Sequence, residues 1–169
     1  MQANKFRIIG LVLVAGLLAF TWLRIGLSKS TEIRQPIRFN HKKHVQGGLE
    51  CSGCHQTVKD QATAGRPETS LCMTCHEASV TKNPEENLIR EYAQRHEEIP
   101  WQRVIKLPDH VFFSHRRHVS TEKLDCTSCH EAIGQSSEPP SRPIKFSMDS
   151  CLACHQKMKA SVDCVACHK

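Results

Sequence analysis

Residues 112–168 contain FFSHRRH (112–118), CTSCH (126–130), CLACH (151–155) and CVACH (164–168), and these four strings decide how the chain must be built. The same grammar opens the chain upstream, with FNHKKH (39–44) ahead of CSGCH (51–55) and CMTCH (72–76). Five C-x-x-C-H motifs therefore stand at Cys51-Cys54-His55, Cys72-Cys75-His76, Cys126-Cys129-His130, Cys151-Cys154-His155 and Cys164-Cys167-His168. They use all ten cysteines, with none left over.

C-x-x-C-H is the attachment pattern of c-type haem. Each thiol can form a thioether with one vinyl group, and the two-residue gap matches the separation of the vinyls. The histidine that follows falls under the iron as its proximal ligand. Structural zinc would not require a histidine directly after the second cysteine five times over. Neither would a disulfide framework. A thioredoxin-like redox motif needs a strand–helix setting that the flanking sequence lacks. The expectation is five covalently attached haems c.

Eleven histidines are present, five of them inside the motifs, so His41, His44, His96, His110, His115 and His118 are spare. Six candidates are enough to give five irons a second imidazole each. Irons saturated in this way shuttle electrons, whereas catalytic haems keep a position open. Four of the six form two H-x-x-H pairs, His41/His44 and His115/His118, which lie seven and eight residues ahead of a motif. A three-residue offset places both imidazoles on one face of a helical turn, slightly splayed, so one pair can reach two haems. The competing reading is a solvated basic turn, because Lys42, Lys43, Arg116 and Arg117 lie between the histidines.

F-x-H-x-x-H followed by successive C-x-x-C-H motifs resembles the class III, cytochrome c3-like, multihaem cytochromes over residues 37–76 and 111–168. That resemblance implies that His41 serves the haem of His55, that His115 serves the haem of His130, and that His44 and His118 serve other haems. The connecting segment WQRVIKLPDHVFFSHRRHV (101–119), with five motifs and an apolar N-terminus, is similar to the membrane-anchored pentahaem subunits of alternative complex III, a quinol:electron-acceptor oxidoreductase. The fifth distal ligand falls to His110 first, with His96 and Met148 as alternatives. A thioether ligand would raise that haem's potential.

Residues 8–23 (IIGLVLVAGLLAFTWL) carry no charge, and with their flanks to Leu27 they give about 20 largely apolar residues, long enough to span a bilayer. No small-residue cleavage site follows, so residues 1–29 read as a retained transmembrane anchor. Lys5 and Arg7 ahead of the span put the N-terminus inside. Haem attachment occurs outside, so the haem domain is expected to be periplasmic, on a single-pass protein of the bacterial inner membrane. About 140 residues then remain for five haems, roughly 28 each, too few for an independent apolar core. Aromatics at 5% agree, since porphyrin faces take their place. The net charge of +6 is offset by haem propionates, which basic side chains are expected to pair with rather than nucleic acid.

The expected fold is mostly coil with short α-helices organised around the haems. The expected segments are the anchor at 1–29, a two-haem module at 30–82, a connecting helix and extended bridge at 83–110, and a three-haem module at 111–169. Asn83 as cap, Pro84 at the first position and Glu86 as a capping-box glutamate predict a helix over 83–98, which sets Leu88, Tyr92 and His96 on one face. Residues 56–71 read as a loop with short turns, and SSEPPSRP (136–143) as a polar surface loop.

The function expected is electron relay, with no catalytic site of its own. The resemblance implies partner subunits of a membrane oxidoreductase complex, membrane lipid around the anchor, and a periplasmic acceptor such as a small cytochrome c or copper protein. A stand-alone quinol dehydrogenase would need a quinone pocket for which no signature is visible. A multihaem reductase would need an open or lysine-ligated iron.

Overall fold

The computed structural model describes residues 32–130 and 133–169, together with Gly16. The chain divides into two units, Met1–Glu32 and Ile33–Lys169. The expected anchor at 1–29 lies outside the described residues, Gly16 excepted. Among the described residues no helix is long and apolar enough to cross a membrane.

The second unit is a succession of short helices joined by coil. These are α1 (His41–Gln46), α2 (Cys51–Cys54), α3 (Thr69–His76), α4 (Glu86–Gln94), a π-helical turn (Arg116–Thr121), α5 (Thr127–His130), a 3-10 turn (Ile133–Gln135), α6 (Met148–Met158) and α7 (Cys164–Cys167). Each cysteine motif begins its own helical turn or lies within one, on α2, α3, α5, α6 and α7. A three-residue spacing of thiols requires this, because only residues three or four apart share a helix face. Helices of four to eleven residues are marginal by themselves. Caps help: the Asn40 side chain accepts from Lys43 N at 2.9 Å at the start of α1, and the Ser147 hydroxyl accepts from Ser150 N at 3.2 Å at the start of α6.

Apolar packing supplies little of the rest. Only Ile37, Val58 and Ile99 are buried hydrophobic residues among those described. Polar ties do more of the positioning. α3 packs on α4, and the buried Thr69 at the head of α3 donates from N to Glu98 Oε2 at 2.7 Å and accepts from Ile99 N at 3.0 Å. α1 packs on the 3-10 turn. The loop 136–143, expected on the surface, lies there and is tied at two points: Ser136 O accepts from Lys42 N at 3.0 Å, and Ser141 O from Ile33 N at 2.7 Å. The π-helical turn docks on the loop after the first motif, with His115 N and Arg116 N each donating at 3.0 Å to Ala62 O and Gln61 O.

The helix expected at 83–98 is shorter, Glu86–Gln94. Pro84 and Glu85 form a turn in front of it, and Asn83 Oδ1 accepts from Glu85 N at 3.1 Å instead of capping a longer helix. At the other end Arg95 leaves helical geometry and His96 has φ 54, so the face shared by Leu88 and Tyr92 does not extend to His96. Residues 100–108 are coil, with Ile105 bridged in parallel to Ile144, and a turn begins at Asp109. Val111 is bridged antiparallel to His168.

Candidate haem sites

Each motif histidine has a spare histidine beside it. Ring centres lie 6.2 Å apart for His44 and His76, 6.4 Å for His115 and His130, 6.2 Å for His118 and His155, and 5.5 Å for His110 and His168. His41 and His55 are near enough for their charges to interact: burial lowers the His41 pKa first, and neighbouring His55 and His44 lower it further. Two imidazoles on opposite sides of one metal, each nitrogen about 2 Å from it, have ring centres roughly 6 Å apart. The observed separations fit that requirement.

The hydrogen bonds set the tautomer. The Nδ1 atoms of His44, His55, His115, His118 and His155 lie 2.8, 2.9, 3.0, 2.9 and 2.6 Å from the backbone carbonyls of Asn40, Gly65, Ala62, Ser114 and Ser161. A carbonyl can only accept, so Nδ1 carries the proton and Nε2 keeps its lone pair for a metal. Histidines that ligate metals are commonly oriented by this bond. In His76 the Nδ1 partner is a carboxylate, Glu86 Oε1, at 3.0 Å. His130, like His41, has its pKa lowered chiefly by burial, which favours the neutral ring that ligation needs.

Among the described residues no three His, Cys, Asp or Glu side chains converge on a point that would hold a bare metal ion. The chain offers two imidazoles per site, and a macrocycle must supply the other ligands. All ten cysteines are free thiols, as thioether formation requires. Both the donor set and its spacing fit haem c.

The cysteines also reveal which sites adjoin. Burial raises the Cys72 thiol, and neighbouring Cys54 adds to the shift. Burial likewise raises Cys126, with Cys51 against it, and Cys129, with Cys154 and Cys151 nearby. Motifs 72–76, 51–55, 126–130 and 151–155 are therefore neighbours in that order. α7 with motif 164–168 follows α6 directly, across the Ser161 carbonyl that holds His155.

Of the three candidates for the fifth distal position, the structure brings His110 to the last motif. Lys169 N donates to His110 O at 2.9 Å and Phe112 N to Cys167 O at 2.7 Å, so backbone pairing fixes the distance between the two rings. His110 is exposed, as are His96 and Met148, so its stacking on His168 and not its burial sets it apart.

The sequence reading gave two kinds of residue no role at these sites. Phe39 meets His41 edge-on at 4.7 Å and stacks on His44 at 4.3 Å, and Phe113 repeats the arrangement with His115 at 4.9 Å and His118 at 4.8 Å. One phenyl ring thus buttresses both histidines of each pair, and its recurrence two residues ahead of both pairs was the available signal. The other is Glu86, which is 5% exposed and accepts from His76 Nδ1, Val80 N, Thr81 N and Thr81 Oγ1. Those bonds, the Thr81 hydroxyl first, hold its carboxyl far below the usual range.

Residues 26–102 match the family model of the class III cytochromes c, and residues 111–169 that of cytochrome c7 and related cytochromes c. The chain is also 31% identical to the multihaem cytochrome c subunit of a menaquinone reductase from Nitratidesulfovibrio vulgaris, over 95% of this chain and 88% of that relative. With two family models dividing the haem-motif region between them and a relative aligned along nearly the whole length, the chain belongs to the class III cytochromes c and is a multihaem cytochrome with covalently bound haem c.

Proposed function

We propose that this chain is a membrane-anchored pentahaem cytochrome that relays electrons between a quinone-linked membrane complex, of the alternative complex III kind, and a periplasmic carrier. The observation that carries this reading is the matching of five motif histidines with five separate histidines. The pairs would be His41/His55, His44/His76, His115/His130, His118/His155 and His110/His168, with the ten motif cysteines holding the porphyrins. When bound, haem supplies a one-electron couple at each site. The chain's own residues do the rest. α1 holds His41 and His44 one turn apart and so fixes the spacing of two adjacent sites, and the π-helical turn does the same with His115 and His118. Two imidazoles at every site leave no position for substrate. The neighbouring cysteines support a path running through motifs 72–76, 51–55, 126–130 and 151–155, and motif 164–168 follows the last of these along the chain.

The direction of flow has a second reading. The Nitratidesulfovibrio relative is named a menaquinone reductase, which carries electrons to the quinone rather than from it. A saturated wire conducts either way, so the partners' potentials decide. Residues 1–29 would form the anchor, with the N-terminus cytoplasmic and the remainder periplasmic.

The test is haem quantification against protein, with low-temperature electron paramagnetic resonance, on the full chain purified in detergent. Five haems, all low-spin, together with co-purifying large subunits, are expected. A haem count below five, or a high-spin haem in the unmodified chain, refutes the reading.

A further inference from the structure

Among the described residues, six histidines have a hydrogen-bonded Nδ1, and five of them donate to neutral backbone carbonyls. His76 alone among the six donates to a carboxylate, Glu86, which is nearly fully buried. We propose that Glu86 is a positioning residue that lowers the reduction potential of the haem carried by Cys72, Cys75 and His76, by drawing on the Nδ1 proton of His76. The inference rests on the five-haem reading and adds to it a difference among sites that otherwise share the same ligands.

An imidazole whose Nδ1–H is pulled by an anion is a stronger electron donor through Nε2. Stronger donation favours ferric over ferrous iron, which lowers the potential. Burial keeps water from screening the bond. The carboxylate is held ionised and aimed: Val80 N and Thr81 Oγ1 each donate at 2.6 Å, Thr81 N at 2.8 Å, and Arg90 Nη1 lies at 3.4 Å. Arg90 also donates to His76 O at 3.2 Å, so acid and histidine are braced by the same guanidinium. Motif 72–76 stands at one end of the proposed path, where a partner's electrons cross.

The experiment is a potentiometric titration of the full-length, haem-loaded protein, followed by electron paramagnetic resonance, for Glu86→Gln, Glu86→Asp and Thr81→Val. Glu86→Gln is expected to raise one potential of five, favouring reduction of that haem about tenfold, or about 59 mV for one electron. Glu86→Asp keeps the charge but falls short of His76, and is expected to raise the same potential. Thr81→Val removes a competing donor without changing charge. The carboxylate then pulls harder on Nδ1–H, and the same potential moves down. Unchanged potentials in a fully loaded Glu86→Gln protein overturn the proposal, as does a Glu86→Asp protein that titrates like the native one. A Thr81→Val potential that stays or rises also overturns it, reducing Glu86 to an anchor for the 80–81 loop. Should Glu86→Gln not load, the sign of the Thr81→Val shift decides alone. Fewer than five haems in the unsubstituted chain refutes instead the reading on which this rests.

Discussion

Replacing His110 by alanine isolates one site. The backbone around it is held independently of the ring, by the Lys169 N to His110 O and Phe112 N to Cys167 O bonds and by the Val111–His168 bridge, so the substitution removes the imidazole and leaves His168 in place. On the proposed ligation, the haem on Cys164 and Cys167 then keeps one protein ligand, while the other four proposed sites, with His41, His44, His115 and His118, are untouched. The expected result is that one haem in five becomes high-spin, read as a fifth of the integrated resonance signal, with haem content unchanged. Added imidazole restores the low-spin form by filling the vacated space. His110→Met keeps two protein ligands but exchanges nitrogen for sulfur and raises one potential, on the order of 0.1 V within the roughly 0.8 V that axial ligands span. His96→Ala and Met148→Leu are expected to leave every spectrum as it was, because it is the His110 ring that stacks on His168, at 5.5 Å. A His110→Ala protein that stays fully low-spin, or a high-spin haem in either control, refutes the reasoning.

Asn40→Ala removes the cap of α1 and is expected to cost about 1 kcal/mol in denaturant unfolding of the loaded protein. Gly65 has φ 73, a Cβ there would lie 2.6 Å from Thr57 Oγ1, and its carbonyl accepts from His55. Gly65→Ala is therefore expected to cost about 1–2 kcal/mol or more and to alter the spectrum of the first-motif haem, checked by thermal melting and resonance. Glu85 accepts from Arg38 N at 2.8 Å and Nε at 2.7 Å, and the backbone bond above all depresses its pKa below 4.5. A depressed acid stabilises fully above its unfolded pKa and loses that contribution as pH falls through the folded value. Glu85→Gln is expected to flatten the stability curve below about pH 4.5, by less than about 1 kcal/mol, in acid titrations followed by circular dichroism.

The cysteine motifs and the H-x-x-H pairs stand out in the sequence because the covalent and coordinate bonds proposed for them demand fixed spacings, and fixed spacings survive in a sequence. The short-helix, coil-rich architecture followed from arithmetic, since too few residues surrounded too many porphyrins. His110 was one of three candidates for a fifth distal ligand and had no partner assigned, because its approach to His168 spans dozens of residues and is closed by two backbone bonds that leave no periodic trace. Glu86 was misread for a related reason. Three residues after Asn83 it looked like a local cap, but Asn83 N donates to Thr81 Oγ1 and the carboxylate turns back to His76. His96 was placed on a helix face because periodicity cannot see a chain leaving the helix at Arg95.

The near absence of buried apolar side chains bears on how the molecule is made. With Ile37, Val58 and Ile99 alone sequestered among the described residues, the polypeptide has little reason to collapse before its prosthetic groups arrive. Maturation and folding then become one event. A chain still lacking haem is then expected to stay open, with its Cys-x-x-Cys pairs accessible for attachment. The pairs on α1 and on the π-helical turn each straddle two sites, so closing one of these helices reports that both neighbours are in place. Compactness becomes a record of complete loading, and a protease that clears open chains would remove incompletely haemylated copies without needing to recognise haem.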